Sequence, residues 1–160
     1  MDNFNLEKMS EVWSRVTATP EIGAVCSIDQ SNEPAKICGF ISKAQRLSFF
    51  YEALARKSRV KCAQFRRLAS EERRNVRRLQ TAYFILTGDT CTVGESNVEV
   101  NSLLDALRKA YIEENANADA YRKAEIESKT GSVAELFSTL ADRETDHAIK
   151  LRDMIAELMN

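Results

Sequence analysis

The one histidine of the chain, His147, stands three residues after Glu144 in the stretch ADRETDHAIKL. On a helix that spacing sends both side chains off the same face, where Leu140 and Leu151 flank them. A carboxylate and an imidazole so placed form either a buried polar pair or two ligands of one metal ion. Two further glutamates stand on comparable apolar stripes: Glu114 among Leu107, Tyr111, Ala118 and Tyr121, and Glu72 among Leu68, Val76 and Leu79. If the stripes face one another, three carboxylates and one imidazole share an apolar interior. An ionised carboxylate buried without a partner costs several kcal/mol, so such a group must share protons or enclose a cation. A divalent transition metal suits this mixture of oxygen and nitrogen donors.

Helices must position these residues, and the composition agrees. The 160 residues include only 5 Gly and 2 Pro, with Ala, Leu, Glu, Arg and Lys plentiful, which is the usage of long helices. The length fits one domain with a core that needs no disulfide staples. Residues 5–16 place Leu6, Met9, Trp13 and Val16 at helical spacing, ended by Thr19-Pro20, and predict a short N-terminal helix. Residues 21–36 keep no period and hold Gly23 and Pro34, so 1–36 reads as N-terminal helix and linker. From 37 to 159 four long helices follow. The first carries Ile37, Ile41, Ala44, Ser48, Tyr51 and Ala55 on one stripe and stops at Lys57-Ser58, with Ser58 the expected cap of the second. The second runs from Cys62 to Leu86 and stops at Thr87-Gly88. Ser102 with Asp105 resembles a capping box for the third, which ends at Thr130-Gly131, and the fourth runs from Val133 to Leu158.

The two halves of this region match. An offset of 70 carries Ile41, Ser48 and Tyr51 onto Tyr111, Ala118 and Tyr121. An offset of 72 carries Phe65, Leu68, Ala69, Glu72, Val76, Leu79 and Leu86 onto Phe137, Leu140, Ala141, Glu144, Ala148, Leu151 and Leu158. A duplicated helical hairpin is the simplest explanation, with the change of offset absorbed in a turn. Residues 88–100 extend to roughly 43 Å, enough to run back along the bundle. The fold expected is therefore an all-α four-helix bundle over 37–160 with a long crossover between its second and third helices.

On these residues the chain resembles the rubrerythrin-like branch of the ferritin-like superfamily. The half containing EENANADAYRKAE and LADRETDHAIKL looks like a normal half-site, whereas the first half departs from it, with Ala44 where a glutamate belongs and Asn75 where EERRN should end in histidine. The resemblance implies Glu114 and His147 as terminal ligands of one metal, with Glu72 and Glu144 as the carboxylates that usually bridge two. With one half-site intact, the expected cofactor is a single iron, or alternatively manganese or zinc. The function implied is iron or oxidative-stress handling, with peroxidase or oxidase chemistry if the metal is redox-active. The alternative is a metal-free bundle kept as a structural or interaction module.

Other features bound the partners. Cys26, Cys38, Cys62 and Cys91 form no CxxC pair, so they read as reduced, buried small side chains, and electrons for any turnover come from an external donor. Tyr51, Tyr83, Tyr111 and Tyr121 read as core aromatics whose hydroxyls bond buried carboxylates. Glu125, one turn past Tyr121, reads as a rim residue rather than a ligand. Arg66, Arg67, Arg73, Arg74, Arg77 and Arg78 lie opposite the Glu72 stripe and form a solvated basic face, with no interleaved aromatics to suggest nucleic acid. The formal net charge of -1, the polar first residues and the lack of an apolar span predict a cytoplasmic chain without a membrane partner. A homodimer is the expected assembly.

Overall fold

A computed structural model describes residues 33–94, 98 and 100–159, and these form four α-helices with no strand among them. They are α1 (Glu33–Lys57), α2 (Cys62–Thr87), α3 (Leu103–Glu127) and α4 (Gly131–Met159). The helix expected over 5–16, and Cys26, lie outside the described residues. So does most of the expected linker, but its last four residues are helical. Pro34 sits in the first turn of α1, where an N–H has no intrahelical acceptor and its loss costs nothing. The boundary expected at Ile37 therefore moves back to Glu33.

Local signals set most other ends. Gly88 closes α2 in the left-handed conformation at φ 72°, and its N–H donates to the Phe84 carbonyl at 2.8 Å. Ser102 caps α3, its hydroxyl accepting from the Asp105 N–H at 3.3 Å. Ser58 does not cap α2. Its hydroxyl accepts from the Lys61 N–H at 3.2 Å and so closes the turn before the helix, which starts at Cys62 with no side-chain cap.

The helices pair as two tight antiparallel hairpins, α1 with α2 and α3 with α4, and the hairpins stand further apart than the helices within each. Contacts at the ends give the topology. Lys36, near the start of α1, pairs with Glu127 at the end of α3 at 2.6 Å, while Lys57, at the end of α1, donates to the Val100 carbonyl just before α3. Thus α1 and α3 run antiparallel. Lys61 pairs with Glu157, so α2 and α4 are antiparallel as well. Cys91 sits beside Cys38 near the start of α1, and the Gln80 side chain brackets its backbone at 2.7 and 3.2 Å. The connection from α2 to α3 therefore begins at one end of the bundle and arrives at the other, and α2 and α3 run parallel.

Two apolar clusters fill the interior. One joins Leu47, Tyr51, Leu54, Phe65, Leu68, Leu107, Leu151 and Met154; the other joins Ile37, Phe40, Ile41, Leu79, Tyr121, Phe137 and Leu140. Burying each large side chain contributes roughly 1.5–3 kcal/mol. The polar side chains Glu72, Asn75, Glu114, Glu144 and His147 are buried too, on the same helix faces as these clusters. Where repeat partners share this interior their environments match, as for Phe65 with Phe137 and Tyr51 with Tyr121. Three pairs differ: Ile41 is buried but Tyr111 is 36% exposed, Val76 is half-buried against buried Ala148, and Leu158 near the α4 end is 44% exposed against half-buried Leu86. The inward stripe of α3 runs through Ala110 rather than Tyr111, which turns that tyrosine out of the core.

The expectation of reduced cysteines needs correction. Cys38 and Cys91, 53 positions apart, are joined by a disulfide across a Cα separation of 5.6 Å, while Cys62 is free and half-buried. The bridge forms because the crossover leaves α2 against the first turns of α1, within the span a disulfide covers. No helix is long and apolar enough to cross a membrane among the described residues.

Candidate metal centre

Three helices deliver the polar group. α2 contributes Glu72 and, one turn on, Asn75; α3 contributes Glu114; α4 contributes Glu144 and His147. None of the five is more than 2% exposed. One ligand atom from each of Glu72, Glu114, Glu144 and His147 lies within 4.8 Å of the others, so the structure brings together all four residues singled out from sequence. Ala44 is buried on α1 and supplies no donor. Glu125 stands apart, half-buried and paired with Arg122 at 3.2 Å.

The distances within the group allow coordination of one ion as well as ion pairing around His147. His147 Nδ1 is 2.9 Å from Glu72 Oε1 and 3.6 Å from Glu114 Oε1. Yet Nδ1, both Glu72 oxygens, Glu114 Oε2 and Glu144 Oε2 have no hydrogen-bond partner. Two donors on one ion at about 2.1 Å lie roughly 3.0 Å apart in octahedral and 3.4 Å in tetrahedral geometry, and the two observed distances bracket these. Orphaned buried acceptors cost about 1–3 kcal/mol each, more for charged groups, so a cation among them relieves a real penalty. The donor set fits a divalent transition metal.

The far side of the imidazole is tied down. His147 Nε2 lies 2.9 Å from Glu71 Oε2, which also accepts from Lys150 Nζ at 3.1 Å, while Arg67 Nε donates to Glu71 Oε1 at 3.1 Å. A proton on Nε2 donates to that carboxylate and leaves the Nδ1 lone pair for the cluster, the arrangement that orients metal-ligating histidines. Although partial burial opposes it, Lys150 and Arg67 hold the Glu71 carboxyl down at about 2, so the acceptor is permanently ionised. Sequence reasoning missed Glu71 because it precedes Glu72 by one residue and so falls off the buried stripe; only the register of α2 against α4 reveals it.

Hydrogen bonds hold two carboxylates. Tyr51 donates its hydroxyl to Glu114 Oε1, and Asn75 Nδ2 donates to Glu144 Oε1 at 3.3 Å. Tyr121 is buried but packs as an aromatic, stacked on Phe40 with ring centroids 4.2 Å apart, while Tyr83 is half-buried and Tyr111 exposed. Of the four tyrosines, then, Tyr51 alone is seen bonding a buried carboxylate. In the basic stripe Arg67 pairs with Glu71 and Arg73 with Glu52, and Arg66, Arg74 and Arg77 are exposed, so these five form a solvated face, whereas Arg78 is half-buried.

Without metal the charges settle among the residues themselves. Burial disfavours a charged ring, but the carboxylates of Glu114 and Glu72 outweigh it and raise His147 to about 10. Burial pushes Glu144 well above the usual carboxylate range, and neighbouring Glu114 and Glu72 push it further. Burial also lifts Glu72 to about 7 against the pull of His147. Glu114 moves the other way: burial opposes ionisation, but Glu144, His147 and Tyr51 together lower it. A metal ion entering the cluster must therefore displace protons. A surface groove lies elsewhere, between α2 and α4 along Arg78, Ala82, Ile85, Val133 and Leu136, and none of the cluster residues lines it.

No protein-family model matches the chain, and no curated protein matches it. Among solved structures it is similar to a hypothetical protein from Pyrococcus furiosus, with 26% identity over 84% of this chain and 94% of that one and a TM-score of 0.69. That likeness supports the all-helical bundle.

Proposed function

We propose that the chain is a ferritin-like bundle of the rubrerythrin branch that binds one transition-metal ion through Glu72, Glu114, Glu144 and His147. The observation that carries this reading is the convergence of buried donors without hydrogen-bond partners on a histidine whose outer nitrogen is anchored by Glu71. The parallel α2 and α3, joined by a crossover, match the ferritin-like connection. Iron or manganese held there supplies one-electron chemistry toward peroxide or dioxygen, in keeping with iron or oxidative-stress handling. The chain's own residues orient the ligands, exclude bulk water and hold protons: Tyr51 fixes Glu114, Glu71 fixes His147, and apolar side chains pack around the group. Elemental analysis after anaerobic loading with Fe(II) and removal of free metal should find about one ion per chain, lost in His147→Ala. Protein that retains no metal after loading refutes the reading.

A second reading rests on the proton balance. An imidazolium beside Glu72 and Glu114, with Glu144 protonated, satisfies much of the core charge without metal. Under it the chain is a metal-free structural or interaction module. Glu144→Leu then leaves or raises the melting temperature, because an apolar replacement for buried charge is often neutral or stabilising. Under the metal reading the same change abolishes the rise in melting temperature that Fe(II) or Mn(II) produces in the parent protein.

A further inference from the structure

The duplication defines a second half-site in which Glu72 and Glu144 answer to one another but the counterparts of His147, Glu114 and Glu71 have been replaced. Shifting by 72 carries His147 onto Asn75 and Glu71 onto Arg143, and shifting by 70 carries Glu114 onto Ala44. On the intact side a ring nitrogen, Nδ1 of His147, faces the carboxylates at 2.9 Å from Glu72 Oε1, and a carboxylate lies behind the ring at Nε2. On the other side the buried Asn75 faces them with hydrogens, its Nδ2 lying 3.3 Å from Glu144 Oε1. The residue corresponding to the anchoring Glu71 is cationic, and the residue corresponding to Glu114 ends at Cβ. Glu144 is thereby divided: Oε1 is held by the amide, while Oε2 has no partner.

We propose that Asn75 is the residue that limits the centre to one ion. A carboxylate oxygen has two lone pairs, and the one that accepts the amide hydrogen is not available to a metal. The amide N–H thus stands where the repeat symmetry would put a second cation, and it leaves Oε2 of Glu144 for the first. Ala44 removes the ligand that could compete with this arrangement. The inference rests on the metal reading above and assigns Asn75 as a specificity-determining residue rather than a ligand that was merely lost.

The test is a count of ions. Metal-free protein is titrated anaerobically with Mn(II) and followed by native mass spectrometry and elemental analysis, with circular dichroism to confirm the fold. Wild type is expected to take one ion and Ala44→Glu/Asn75→His two. A wild type that takes two, or a folded double variant that stays at one, overturns the inference and leaves the metal reading standing. A wild type that takes none removes that reading and the inference with it. If the double variant does not fold, Asn75→Asp decides, since it keeps the size of the side chain and replaces the donor with a carboxylate: a second, weaker ion supports the inference, and a single ion overturns it.

Discussion

Metal affinity at this cluster should climb steeply with pH, because protons occupy the places that a cation takes. His147 is held at about 10, Glu72 at about 7, and Glu144 well above the ordinary carboxylate range. A group with a raised pKa keeps its proton until the pH passes that value, so the metal competes with the proton below it and meets a ready ligand above it. Between pH 6 and 8 His147 stays protonated in the free protein, and displacing its proton changes affinity about a hundredfold. Glu72 crosses its own value in the same interval and adds about tenfold. The product is about a thousandfold before Glu144 is counted. Competition for Mn(II) against a chromophoric chelator at pH 6, 7 and 8, at constant ionic strength, measures the slope. Calorimetry in two buffers of different ionisation enthalpy should find at least one proton released per ion at pH 8. An affinity that rises less than tenfold over this range, or binding without proton release, refutes the argument that the metal-free cluster is charge-balanced by protons on these residues.

Two further outcomes follow from contacts outside the ligands. Glu71→Ala removes the carboxylate behind His147 and should weaken metal binding by about 10–100-fold while keeping one ion per chain, measured by the same chelator competition. An unchanged affinity would show that the ring needs no anchor. Replacing Cys38 and Cys91 together by serine opens a loop of 53 positions, which chain-entropy arguments value at about 4 kcal/mol. For a chain of this size the melting temperature should fall by about 8–16 °C, and intact mass without reductant should show the parent two hydrogens lighter than its reduced form. A shift under about 2 °C would mean that the crossover is held without the bridge.

The buried cluster of Glu72, Glu114, Glu144 and His147 was legible from the chain because its signals are local and repeated. Glu144 and His147 share a face through their spacing of three, and the offset of 72 sets Glu72 on the matching stripe of α2, so helical periodicity alone aims each side chain inward. Ser102 with Asp105 and the left-handed Gly88 mark ends for the same reason, since a cap or a stop is decided within one turn of backbone. Pro34 misled because a proline that breaks a helix interior is tolerated in its first turn, and composition does not say which it is.

What lay between elements was a different matter. Glu71 reaches His147 across 76 positions, Tyr51 reaches Glu114 across 63, and Cys38 reaches Cys91 across 53. Each depends on the longitudinal register of one helix against another or on the course of the crossover. Packing of whole faces sets that register, and no residue's immediate neighbours encode it. Tyr111 shows the same limit from within one helix: it lies one position from Ala110, and only the rotation of α3 against its partners decides which of the two faces the core. Residue type and spacing thus determined that carboxylates and an imidazole would point inward from three helices. The tertiary arrangement decided which atoms they meet there, because those distances are set by helices sliding and turning against each other as rigid bodies.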